Sequence, residues 1–174
     1  MAVALLVNDS VANQIGSCLY LLFTEPEQLA WLRAHMSLVE EAVEELLRFA
    51  PLSPDLPAGG QGHVRMAMED VELDGVLIRA GEFVLPSLTS ANRDEEIFAD
   101  AHKLDLTRTT NRHIAFGYGT HRCPGEKVGR MEMQVAIGSL LTRFPNLRLA
   151  VPVDEVPWKT GMASRGPTRL LAEW

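Results

Sequence analysis

The segment Phe116-Gly-Tyr-Gly119-Thr-His121-Arg-Cys123-Pro-Gly125 constrains this chain more than any other. A loop bracketed by glycines presents one cysteine at the mouth of a helix expected to begin at Pro124, a residue suited to the first helical position. The unpaired N–H groups of that first turn point back toward the sulfur, and the positive end of the helix dipole favours negative charge there. A cysteine so placed is set up as a thiolate, a ligand for soft or borderline iron. The alternative is a buried structural cysteine beside a solvated histidine.

The spacing F-x-x-G-x-H-x-C-x-G resembles the haem-ligand loop of the cytochrome P-450 family, with every position filled. The resemblance implies that Cys123 is the axial ligand of haem iron, donating electron density that favours O–O cleavage. Gly119 would then allow the sharp turn, and Gly125 the close approach of backbone to porphyrin. Phe116 opens the pattern, and His121 would hydrogen-bond a haem propionate. The implied cofactor is haem b.

Upstream, Glu40-Glu-Ala-Val-Glu44-Glu45-Leu-Leu-Arg48-Phe-Ala-Pro51 reads as a helix stopped by its proline. Glu45 and Arg48 stand at i, i+3 and share a face. By themselves they read equally as a surface ion pair worth little. By resemblance they are the family's structural Glu and Arg, which brace the meander before the haem loop. The family's third basic residue is here Lys103, in Asp100-Ala-His102-Lys103-Leu104, a point charge in place of a forked guanidinium. Arg65, opening Arg65-Met-Ala-Met-Glu-Asp70, matches the arginine that binds a haem propionate, the alternative being an exposed strand arginine. Ser90-Ala-Asn-Arg93-Asp resembles the family's A-N-R-D segment.

Leu5-Leu-Val-Asn8-Asp9-Ser10 looks like the family's distal helix, in which an acid followed by threonine delivers protons during oxygen activation. Asp9 and Ser10 match those catalytic positions, and serine keeps the hydroxyl donor and acceptor. Leu6 and Val7 replace the family's small residues before the acid. The other reading of Asp9 and Ser10 is a helix-start cap with a nearby acid.

Coarse patterning predicts helices over 2–23, 25–34 and 38–49, strands within 63–85, a short helix over 90–97 and an irregular meander to 115. A helix follows over 124–143, with Val128, Met131, Val135 and Leu140 on its apolar face, then a strand from Leu147 to Val151 and a tail hairpin. In that tail Met162 and Ala163 are weak pocket candidates. The implied fold is α+β, mainly α, equivalent to the carboxyl-terminal half of the family fold, and residues 1–174 read as a single truncated domain. Met1 directly ahead of the distal-helix pattern points to a naturally short protein or to a piece of a longer one.

A net charge of −7 argues against nucleic acid and anionic membrane as partners. Two cysteines define no disulfide framework, and Cys18, in an apolar helix, reads as core. No secretory signal or membrane span is legible, so a cytoplasmic bacterial protein is expected. Two function classes stay open. One is a haem-thiolate enzyme, monooxygenase or peroxide-using, that oxidises a small organic molecule, possibly in secondary metabolism and with a redox partner. The other is a non-oxidative cyclase or isomerase, or a haem-free binding or accessory module. Without covering helices, Leu5, Leu6, Leu19, Leu21 and Leu22 are expected to be exposed or to pair in a homodimer or under a covering protein.

Overall fold

The structure, a computed structural model, describes residues 2–52, 64–161 and 164–174, with side chains from residue 9 onward. Met162 and Ala163 lie outside the described residues, as do the side chains of Leu5, Leu6 and Val7.

Three helices come first. α1 spans Ala2–Thr24, and α2 (Pro26–Ala34) starts on proline, whose missing N–H has no helical partner to lose. α3 (Val39–Phe49) ends because Pro51 excludes the residue before it from the helical region. Ala50 accordingly sits at φ −95°, ψ 98°, its N–H closing on Leu46 O at 2.8 Å. All three fall within a residue of the predicted boundaries.

β1 (Arg65–Met66), β2 (Val71–Leu73), β3 (Val76–Ile78) and β4 (Phe83–Val84) form two antiparallel pairs, one inside the other. Leu73 faces Val76 across the Asp74-Gly75 turn, and Arg65 faces Val84. Met66, Leu73, Val76 and Phe83 are all at least half exposed. α4 (Leu88–Ala91) is a single turn capped by the Ser87 hydroxyl, which accepts from Ser90 N at 3.0 Å. The helix predicted over 90–97 stops there because Asp94 Oδ1 accepts from Glu96 N at 2.9 Å, a local bond that competes with the helical ladder.

α5 (Glu126–Arg143) starts two residues later than expected, with Gly125 rather than Cys123 at the N-cap position. Its inward face also differs from the predicted one. Gly129, Met133, Ile137 and Leu141 are buried at spacings of four, whereas Val128, Met131 and Val135 are 46%, 56% and 62% exposed. The stripe that packs includes a glycine, which apolar periodicity does not count. β5 (Arg148–Leu149) pairs antiparallel with β6 (Ala172–Glu173), and Trp158 bridges Pro167 in the tail.

Cys18 and Leu22 of α1, Leu32 of α2, Val43 and Leu46 of α3, and Met133, Ile137 and Leu141 of α5 share one buried cluster with Leu104 and Leu106. Leu19 and Leu22, expected to be exposed, are 8% and 0% exposed, because α2, α3 and α5 all pack around α1. Leu21 is partly buried against the same cluster.

Candidate functional site

The cysteine loop is closed by its own backbone. Cys123 N donates to Phe116 O at 2.8 Å, Gly117 N to Ile114 O at 2.8 Å and Arg122 N to Gly119 O at 3.1 Å. Gly119 sits at φ 67°, in the left-handed region where a side chain is strained. Gly117, which the sequence pattern passes over, sits at φ 78°, and a Cβ there would stand 3.2 Å from His121 O. Both glycines are therefore needed to fold the loop back on itself.

Cys123 is a free, exposed thiol lining a cavity of about 360 Å³. His121, Phe116 and Gly125 lie on the same wall, with Ser10 and Val11 of α1, Gly129 and Met133 of α5, and Leu88 and Thr89 of α4 completing the surround. Cys18 is sealed in the core, and burial pushes its thiol up to about 12. Arg65 and Gly119 do not line the cavity. Arg65 is exposed on β1, and its guanidinium donates to Val64 O at 3.2 Å.

Asp9 and Ser10 are adjacent on α1 but serve different neighbours. Ser10 lines the cavity, whereas exposed Asp9 turns to the tail. Lys159 Nζ donates to Asp9 Oδ1 at 3.0 Å, and Ser164 Oγ and Asn13 Nδ2 donate to Oδ2 at 2.8 and 3.1 Å. The Lys159 hydrogen bond, then that of Ser164, holds this carboxyl below its usual range. Gly166 permits the approach, since a Cβ there would fall 2.7 Å from Asn13 Cβ.

Glu45 and Arg48 form a sealed, bidentate pair, with Nε to Oε2 at 2.8 Å and Nη2 to Oε1 at 2.7 Å. Arg48 spends its remaining N–H groups on three carbonyls: Nη1 donates to Asn92 O and Ala101 O at 2.7 and 2.8 Å, and Nη2 to Lys103 O at 3.0 Å. Glu45 also accepts from Asp105 N, Arg108 Nε and Asn111 Nδ2 at 3.0, 3.2 and 2.9 Å. The third basic group is thus Arg108. Lys103 contributes only its carbonyl, its ammonium pairing with exposed Asp100. Asn92 Oδ1 accepts from Ile114 N at 2.8 Å, tying this hub to the residue that closes onto Gly117.

A second brace reaches the loop from the other side. Arg130 Nε donates to both oxygens of Glu44, at 2.8 and 2.9 Å, while its guanidinium stacks 4.6 Å from the Phe116 ring centre. His113 accepts from Ala115 N through Nδ1, so its Nε2 carries the proton it donates to Glu44 at 3.0 Å. Burial pushes the Glu44 carboxyl up, but the hydrogen bonds from His113 and Arg130 outweigh it and leave the group below its usual range. Arg130 also pairs with Glu126 at i, i+4, but the bonds of Arg108 to Glu45 and of Arg130 to Glu44 span 63 and 86 residues and are not visible by local spacing.

Residues 29–164 match the cytochrome P450 family model. Nocardicin C N-oxygenase of Nocardia uniformis subsp. tsuyamanensis is 51% identical over 96% of this chain and 41% of its own length. Mycinamicin IV hydroxylase/epoxidase of Micromonospora griseorubida is 44% identical over 100% and 43%. The crystal structure of the LnmA cytochrome P450 hydroxylase, from the leinamycin biosynthetic pathway of Streptomyces atroolivaceus S-140, superposes with a TM-score of 0.87 at 51% identity, covering 95% of this chain and 42% of that one. The chain therefore spans about two fifths of the length of the relatives it matches. Matched by the family model over more than half of its residues and by a curated relative at 51% identity, it belongs to the cytochrome P450 family.

Proposed function

We propose that this chain carries the ligand side of a haem-thiolate oxygenase that oxidises a small organic substrate, with Cys123 as the residue that would hold the haem iron. Family membership implies a haem-iron cofactor. The observation that carries the reading is the exposed Cys123 thiol on a largely apolar cavity wall, with Ser10 and Val11 also on its surround. The residues fit the group. Cys123 is a soft donor on the cavity wall, and Gly125 and Gly129 on the same lining put no side chain into the space that the group would take.

Bound haem supplies the redox chemistry of the reaction. Cys123 Sγ would give it an electron pair, and the Cys123 N–H bond to Phe116 O holds the loop backbone that carries the sulfur. His121, on the cavity wall, and Arg65, once released from Val64 O, are the proposed propionate partners. Ser10, on the cavity wall, is the proposed inner proton-bearing group, and Asp9, the residue before it and held by Lys159 and Ser164, the proposed outer one. Relatives named for nocardicin C, mycinamicin IV and leinamycin biosynthesis support a secondary-metabolite substrate.

A redox partner and a cytoplasmic location belong to the same proposal. So does a homodimer or covering protein, which would take up Val128, Met131 and Val135 on α5 and is read by light scattering. No helix among the described residues is long and apolar enough to cross a membrane. The test is an absorption spectrum of the purified chain with added haemin, reduced under carbon monoxide. A thiolate-type shifted Soret band, lost in Cys123→Ser, is the expected result; no haem uptake by the wild type overturns the reading.

A further inference from the structure

A second cavity, of about 160 Å³, lies behind Ala50 and Pro51, which line both it and the larger one. Its walls are aromatic: Phe49, Tyr20 and Trp158, the last two edge to face with ring centres 4.9 Å apart. Two arginines enter it. Arg93 lies 4.4 Å from the Phe49 ring centre and donates through Nη2 to Phe49 O at 3.0 Å, and Arg165 lies 4.9 Å from the Trp158 ring centre.

This charge is unanswered. Among the described residues neither guanidinium has a carboxylate within ion-pair distance, and Arg93 Nε is sealed from solvent with no acceptor. Ser17, 4% exposed, lines the same cavity, and its hydroxyl has no hydrogen-bond partner among the described residues. Buried donors left unmade are costly, and stacked guanidiniums keep their N–H edges free for a planar oxyanion. We propose that this cavity binds the carboxylate of a small aromatic acid, its oxygens on the Arg93 and Arg165 guanidiniums, its ring among the aromatic walls. Burial, then the charges of Arg48 and Arg165, lower the Arg93 pKa, a strain that an anion would relieve. The site needs neither haem nor Cys123, so it stands or falls independently of the proposed function.

The test is titration of the purified full chain with benzoate, with benzyl alcohol as the neutral isostere and inorganic phosphate as the non-aromatic anion, following the Trp158 indole resonance by NMR. Saturable binding of benzoate is expected, with benzyl alcohol and phosphate each at least about tenfold weaker. Arg165→Met, at an exposed position that leaves the core untouched, should weaken benzoate by about tenfold or more, and Arg93→Met likewise. Equal binding of benzoate and benzyl alcohol by the wild type, or an Arg165→Met variant with unchanged benzoate affinity, overturns the site. Phosphate binding as tight as benzoate overturns the aromatic-acid class.

Discussion

Arg108 donates through Nε to Glu45 Oε2 at 3.2 Å across a separation of 63 residues, while Lys103, nearer in sequence, turns its charge to solvent. The hub therefore has two guanidiniums and one carboxylate at its centre. Removing Arg48 leaves buried Glu45 with Arg108 as its one remaining cation among the described residues and strands three carbonyls. Arg48→Leu should cost about 3–5 kcal/mol, Arg108→Ala about 1.5–3 and Lys103→Ala under about 0.5, read by urea denaturation. Equal losses at Lys103 and Arg108 would contradict the assignment of Arg108 as the third basic group.

Asp9 should titrate below an ordinary aspartate, and Lys159→Met should move it upward by removing the largest cause of the shift. The depressed folded value means that the pairing contributes above the unfolded pKa and is lost as pH falls through the folded one. The carboxyl carbon shift of Asp9, followed by NMR against pH, reports this directly. An unmoved midpoint in Lys159→Met would show that the tail does not hold the acid.

Glu126 is held at about 2, first by the hydrogen bond from Arg122 and then by that from Arg130, against an ordinary value of 4.5. Its contribution to α5 is complete above about pH 4.5 and fades as pH falls toward 2. Glu126→Gln should therefore flatten the melting temperature against pH in that window while changing it least near the acid end. A variant curve parallel to the wild type would place the acid sensitivity elsewhere.

The two thiols should separate by reactivity. Exposed Cys123 should react with a disulfide reagent in the native chain, and Cys18, with its thiol pushed up to about 12 by burial, only after unfolding. Cys123→Ser should abolish the fast equivalent and leave the slow one. Two fast equivalents in the wild type would mean that the α1 core opens readily.

Legibility in the sequence followed the range of the interaction. The cysteine loop, the Glu45–Arg48 face and the stop at Pro51 are local, each decided within a few residues by backbone sterics or helical spacing. Arg108, Arg130 and Asn111 join the braces through contacts tens of residues long, and no local pattern marks those contacts. The α5 face is hidden from the sequence for a related reason. Val128, Met131 and Val135 are apolar enough to look like core, yet the buried stripe is Gly129, Met133, Ile137 and Leu141, and its first member has no apolar side chain for periodicity to count. Leu19 and Leu22 are buried by α2, α3 and α5, a cover built from contacts distant in sequence that no local pattern shows.

The bonds from Lys159 and Ser164 to Asp9 span 150 and 155 residues, which sets a clock on synthesis. At ribosomal speeds of roughly 5–20 residues per second, α1 is made about 8–30 s before the groups that secure its acid exist. During that interval Asp9 lacks Lys159 and Ser164, and Asn13 lacks the Ser164 hydroxyl that accepts from its Nδ2. A slowed ribosome lengthens the exposure of α1 in proportion, so nascent-chain yield should depend on translation rate more steeply than the stability of the finished chain would imply.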